Sequence, residues 1–294
     1  MDWVGFLSVL EYDMSKSDIE RTRECYRSDG YVSPLRVMSA DLAAEYRMRL
    51  ESIQSMYRDD AAATGILTWS ASIVLPFVGE IMRSPSLVDP VKAILGDDVL
   101  LMAASFFIKE PNSPAFISWH QDLTYWGYED VSEVTAWVAL TEASKENGCM
   151  WFVPGSHKQE LVDHQDTFEE ANLLSRGQNI TAHVDEADAV AITLQPGEMS
   201  LHHGHMFHSS KPNTSRDRRI GLALRYVSPS MSQVSGQRPF AHLVAGSDRY
   251  GHFQLLDLPA EVMADGDVEK ARQAMAMHEE TNYEGATEQG KRRS

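Results

Sequence analysis

From Val99 onward the chain is a succession of apolar runs of strand length: Leu100 to Ile108, Val134 to Leu140, Cys149 to Val153, Ala189 to Leu194, Met199 to Phe207 and Ile220 to Val227. Turn-forming clusters such as Pro111-Asn112-Ser113-Pro114 and Lys145-Glu146-Asn147-Gly148 part them. Short strands in such number bury their apolar faces by stacking as two sheets or by closing into a roll. The residues before Val99 follow a helical period instead. Ser17 and Glu20 have capping-box spacing ahead of Ile19, Arg23 and Tyr26, and Gly30 ends the pattern, which predicts a helix over 18–28 and a strand from Tyr31. Leu42, Tyr46, Leu50, Ile53 and Tyr57 predict a long amphipathic helix over about 40–58, with its Met and Tyr stripe in the core. A third helix is expected from Leu87 to Leu95, stopped by Gly96. The expected fold is mainly β with flanking helices, a β-sandwich or jelly roll.

The 294 residues contain no Pro/Gly/Ser-rich linker, repeat or low-complexity tract, so a single domain is expected. In it, 1–98 would be a mainly helical buttress, 99–258 the jelly-roll core, and 259–294 a tail with a short helical pattern through Val268, Ala271 and Met275 and a disordered end from Glu284. Residues 159–187 read as an acidic insertion, either a lid over the mouth of the roll or a surface helix and loop. A chain this long needs no disulfide or structural metal to be stable, so a metal site would serve function. Cys25 and Cys149 form no framework and read as small buried hydrophobes in a reducing compartment. Met1-Asp2-Trp3-Val4 lacks the positive start of a signal peptide and no run reaches membrane-span length, so a soluble, cytoplasmic protein is expected. A net charge of −17, from 26 basic and 43 acidic side chains, disfavours nucleic acid, anionic membranes and bulky polyanions. A small-molecule substrate is the remaining expected partner, and oligomeric state leaves no mark in the sequence.

The chemistry concentrates in Trp119-His120-Gln121-Asp122 and in the segment from His208 to Arg219. On a β-strand, His120 and Asp122 would face one point. Two imidazoles and one carboxylate on one face of a metal leave the opposite positions open, as in non-haem Fe(II) oxygenases, while zinc accepts the same donors. The turn after His208 returns the chain along Ile220 to Val227, so an antiparallel hairpin would carry Arg219 back toward the metal and offer a two-pronged contact to a carboxylate. His202, His203, His205 and His208 crowd one segment; alternation puts His202 with His208 and the other two on the opposite face. His208 is preferred for its spacing to Arg219, and the others read as core or supporting histidines. His157 reads as a structural turn residue. Trp119, Tyr125, Trp126 and Tyr128 surround the motif. Trp126 shares strand parity with His120 and Asp122, making it the expected substrate wall, with Tyr125 and Trp119 beside it. Such a wall suits a quaternary ammonium through cation–π attraction.

The order Trp119-His120-Gln121-Asp122, Trp137, Asn147-Gly148-Cys149-Met150, Val153-Pro154-Gly155-Ser156-His157 and Pro196-Gly197-Glu198 through His208, Ser210, Asn213 and Arg219 resembles the phytanoyl-CoA dioxygenase family over residues 20–230. That family of Fe(II)- and 2-oxoglutarate-dependent oxygenases also includes ectoine and phosphonate hydroxylases. The resemblance implies a double-stranded β-helix (jelly roll, cupin-like), with His120, Asp122 and His208 as iron ligands. It implies Arg219 and Ser210 on the distal carboxylate of 2-oxoglutarate, with Lys109 and Trp137 lining the cosubstrate pocket. Phe107 stands where the ectoine-hydroxylase branch has an amide. The implied activity is hydroxylation of an unactivated C–H bond with O2, releasing succinate and CO2, with ascorbate expected to stimulate turnover. Related halogenases have a small residue at the position of Asp122, so hydroxylation is the default outcome, with desaturation or ring closure as variants. Two other readings remain: a non-catalytic sensor of metal and 2-oxoglutarate, and a zinc hydrolase on a cupin-like barrel, which would give Arg219 no task.

Overall fold

The computed structural model describes residues 15–282 except Glu129. The expectations for Met1 to Val4 and for Glu284 to Ser294 lie outside them. Six helices lead: α1 (Lys16–Asp29), α2 (Ala40–Met56), α3 (Ala61–Trp69), α4 (Ala71–Val74), α5 (Pro76–Met82) and α6 (Pro85–Leu95), with strand β1 (Tyr31–Arg36) after the first. The expected helices are present. The capping box, however, is Ser15 with Asp18, two residues earlier than Ser17 and Glu20, and Gly30 closes α1 at φ 83°. In α2, Tyr46, Leu50 and Ile53 are buried, but Met48 and Met56 point to solvent, so the core stripe carries no methionine.

Twelve more strands follow: β2 (Val99–Lys109), β3 (Ile117–His120), β4 (Glu133–Ala139), β5 (Met150–Phe152), β6 (His164–Asp166), β7 (Gln178–Ile180), β8 (Val190–Ile192), β9 (Glu198–His202), β10 (His208–Ser210), β11 (Arg219–Val227), β12 (Phe240–Ala245) and β13 (Gln254–Leu255). Helix α7 (Asp265–Asn282) comes last. The large sheet runs β1-β9-β4-β11-β2-β12-β13 and the small one β3-β10-β5-β8, the two faces of a jelly roll. Pro34 is tolerated in β1 because that strand lies at the edge of its sheet, where a missing N–H breaks no ladder.

Strand β11 shows how one sequence serves two faces. Ile220, Leu222, Leu224 and Tyr226 join the core that α2 to α6 cover. Arg219, Ala223 and Arg225 face the space between the sheets. In β4, Val134, Ala136 and Val138 face the helices while Thr135 and Trp137 face inward.

Three expectations are corrected here. The run from Met199 does not continue to Phe207; β9 ends at His202 and the chain turns before re-entering the small sheet as β10. Consequently β10 and β11 form no hairpin: β10 pairs with β3 and β5, while β11 pairs with β2 and β4. The 159–187 segment contains no α-helix but a two-stranded ribbon, β6 with β7. Among the described residues no helix is long and apolar enough to cross a membrane.

Candidate metal centre

His120 closes β3 and His208 opens β10, and the two are direct partners across the antiparallel pair. Their ring centroids are 3.9 Å apart. Nδ1 of His120 lies 2.9 Å from the Ser118 carbonyl and 3.1 Å from that of His208, and Nδ1 of His208 lies 2.9 Å from the Met206 carbonyl. Carbonyls only accept, so each Nδ1 carries the proton and each Nε2 presents a lone pair. Asp122 does not reach them by strand alternation. The strand stops at His120, and a 3₁₀ turn over Asp122–Tyr125 swings the carboxylate back instead. Its Oδ1 stands 3.4 Å from Nε2 of His120 and 3.7 Å from Nε2 of His208, and the three ligand atoms lie within 4.8 Å of one another. Donors about 2.1 Å from a common ion and at right angles are about 3 Å apart, so this triad fits one face of a divalent metal. Burial raises the Asp122 pKa, but the surrounding imidazoles of His120, His202 and His208 outweigh it and hold the carboxyl well below the usual range.

One group that sequence reasoning passed over braces the triad. His164, on β6, accepts from the Gln121 backbone N–H at 3.1 Å, between the two ligands of the motif. Gln121 itself donates to the His205 carbonyl and accepts from the Val162 N–H, so the 159–187 segment holds the ligand turn in place. A lone histidine in an acidic stretch gave no sign of this. His202 has Nε2 3.7 Å from Asp122 Oδ2, with neither ring nitrogen hydrogen-bonded. His203 instead makes tilted ring contacts with Tyr26, His157 and His205, and neither His203 nor His205 lines the cavity. His157 lies in a short 3₁₀ turn beside the Arg27 carbonyl, as a structural residue would. Since groups behind metal ligands tune affinity, His202→Phe is expected to weaken Fe(II) binding about ten- to a hundredfold. Titration with Fe(II) under argon checks this, and an unchanged affinity would assign His202 to packing.

Arg219 is 1 % exposed. Nη1 donates to the Gly148 carbonyl at 2.7 Å, while Nε and Nη2 have no partner. Its guanidinium lies 5.2 Å from the centre of the Trp137 ring, over Gly221, where a Cβ would collide with the indole. Burial pushes its pKa down to about 10. Buried donors without acceptors are costly, so the cradle fits an oxyanion. Ser210 lines the same cavity and accepts from Lys109 Nζ at 2.6 Å. Lys109 is fully buried, faces Arg219 across the β2–β11 ladder, and stays behind the cavity wall. Burial and the charge of Arg219 push it down to about 6.

The triad, Arg219, Ser210 and Trp137 share one cavity of about 1180 Å³. That exceeds the volume of a small dicarboxylate and leaves room for a second ligand. Trp126 and Tyr128 line it, whereas Trp119 does not, and the side chain of Tyr125 lies outside the described residues. Trp126 lines it without strand parity, since it caps the 3₁₀ turn. The outer wall is α3 with α7 and the loop from Leu173 to Ser175, so α7 is a wall of the site rather than a tail. Asn282 of α7 donates to Ser175 Oγ, and Arg176 donates to the Asn282 carbonyl, joining loop and helix. The face of Trp126 is not free for a quaternary ammonium: Arg225 stands 5.6 Å from its ring centre.

The phytanoyl-CoA dioxygenase (PhyH) family profile matches residues 26–221. A probable alpha-ketoglutarate-dependent hypophosphite dioxygenase of Stutzerimonas stutzeri is 32% identical over 152 residues, covering 51% of this chain and 52% of that protein. The chain thus spans about half the length of the curated relatives it matches. Among solved structures, the non-heme monooxygenase ThoJ is 26% identical with a TM-score of 0.81, covering 90% of this chain and 98% of that one. EvdO2 from Micromonospora carbonacea var. aurantiaca, complexed with 2-oxoglutarate, is 25% identical with a TM-score of 0.55, covering 73% and 92%.

Proposed function

Because this chain belongs to the phytanoyl-CoA dioxygenase family, we propose that it is a mononuclear Fe(II)- and 2-oxoglutarate-dependent dioxygenase that hydroxylates a C–H bond of a small organic substrate. The observation that carries the reading is one cavity holding both a His-Asp-His triad and a buried guanidinium with unpaired donors. His120, Asp122 and His208 would hold the iron, and Arg219 with Ser210 the distal carboxylate of 2-oxoglutarate. Bound together, iron and 2-oxoglutarate supply a two-electron oxidation with O2: one oxygen atom enters the substrate as hydroxyl and the other leaves in succinate, with CO2 released.

The protein's own work is placement. The carbonyls of Ser118, His208 and Met206 keep both imidazoles in the tautomer that donates a lone pair. Arg219 neutralises the cosubstrate and fixes its direction, while Trp137 holds the guanidinium flat. The helix and loop at the mouth keep bulk water from the reacting centre. A zinc hydrolase leaves the free donors of Arg219 without an acceptor, so the oxygenase reading is the better fit.

The deciding test is anaerobic titration of the Fe(II)-loaded protein with 2-oxoglutarate, following the weak visible charge-transfer band of a 2-oxo acid chelated to iron. Its appearance is expected. Iron binding without the band would overturn the reading.

Lys109 gives this binding a pH dependence. With its pKa near 6, it is neutral above pH 6 in the free protein. An anion held beside Ser210 and Arg219 favours its charged form and raises that pKa, so 2-oxoglutarate binding takes up a proton at pH 7 to 8. Affinity is therefore expected to fall as pH rises from 6. Calorimetry in buffers of different ionisation heat reads the uptake, and a heat independent of buffer would remove Lys109 from the binding equilibrium.

A further inference from the structure

Arg219 and Arg225 lie on the same face of β11, six residues apart, so their backbones are separated by about 20 Å. The head of Arg225 leans back along the strand, toward Ser105 and Phe107, which pair with Ala223 and Gly221, and it shares no protein partner with Arg219. Arg225 lines the cavity all the same. Its guanidinium is fixed, standing 5.8 Å from the ring centre of Phe107 and 5.6 Å from that of Trp126, with Nη1 donating to Ser105 Oγ at 3.1 Å. That hydrogen bond uses one of five N–H donors, and Arg225 makes no ion pair among the described residues. The acidic groups whose fields it feels are Asp122 and Glu133. Asp122 belongs to the triad, and Glu133 lies outside the cavity lining with Oε1 taken by the Gly204 N–H. A cation oriented between two aromatic rings, with donors unspent and space in front, is a receptor for an anion.

We propose that Arg225 binds an oxyanionic group of the primary substrate, a carboxylate or a phosphorus oxyanion, in the part of the cavity that Phe107 and Trp126 line. The inference rests on the oxygenase reading only for the word substrate; the site itself is a property of β11 and its neighbours. Phe107 and Trp126 would flank the anion and cover the carbon chain next to it, leaving that chain directed toward the triad. The same charge rejects amines, which reverses the preference that the aromatic cluster alone suggested. It also reconciles a strongly acidic chain with an anionic substrate, since the attraction is confined to the cavity.

The test is calorimetric titration of the Mn(II)-loaded protein, with and without saturating 2-oxoglutarate, using short and medium alkyl carboxylates, the matching alkylphosphonates, and the corresponding alcohols and amines. The expected result is binding of a carboxylate or a phosphonate, whichever arm is preferred, with 2-oxoglutarate already bound, and no binding of the matching alcohol or amine. Arg225→Gln should weaken that anion at least tenfold and leave 2-oxoglutarate affinity within twofold, the latter showing that the variant is folded. Arg225→Lys should recover part of the loss. Equal anion affinity in Arg225→Gln, no anion binding by the wild type, or tighter binding of an amine would overturn the proposal. Failure of 2-oxoglutarate to bind would sink the oxygenase reading alone, because the Arg225 dependence is still read without it.

Discussion

Replacing Asp122 with alanine is expected to abolish substrate oxidation and to weaken Fe(II) binding together. The carboxylate is the one anionic donor in the triad, and its Oδ1 faces both Nε2 atoms at 3.4 and 3.7 Å. Without it two neutral imidazoles remain to hold a doubly charged ion, in a pocket where burial already opposes charge on His208. A fall in succinate release of at least about a thousandfold, or about 4 kcal/mol in the barrier, is anticipated. Iron retention after gel filtration gives the second readout. Full activity in this variant would remove Asp122 from the metal shell.

Arg219→Leu is expected to act on the other ligand. The guanidinium is enclosed, holds one hydrogen bond to Gly148, and keeps two nitrogens free. Losing a buried charged partner of a carboxylate costs about 2 to 5 kcal/mol, roughly thirtyfold to several thousandfold in 2-oxoglutarate affinity. Iron binding should be unchanged, because the triad hangs on β3, β10 and the 3₁₀ turn while Arg219 sits on the facing sheet. Titration of the charge-transfer band measures both. An unaltered apparent affinity for 2-oxoglutarate would refute the clamp.

The positions of these residues were legible before the structure, but the reasons for their meeting were not. His120 and His208 were linked by motif order, and the structure pairs them across two short strands. Alternation along a strand predicted the right neighbour for His120 by the wrong geometry, since a 3₁₀ turn does the work. The hairpin drawn for Arg219 failed because a jelly roll sends successive strands to opposite sheets. Helices α3, α4 and α5 left no clear stripe: they are short, and α4 is buried on all sides. His164 and Asn282 were hidden for another reason. Each acts through a contact with a distant part of the chain, Gln121 and Ser175 respectively, and no local pattern encodes such a pair. Arg225 could have been found, because counting by twos from Arg219 leads through Gly221 and Ala223 to it.

The wall made by α3, α7 and the loop from Leu173 to Ser175 belongs to neither sheet, whereas every residue assigned to iron or to 2-oxoglutarate sits on a sheet strand or in the turn that follows β3. Rim and reaction centre are therefore built from separable parts of the chain. Substitutions along the rim can reshape which molecules enter while the oxidising machinery keeps its alignment, so selection on substrate range and selection on chemistry need not interfere with each other.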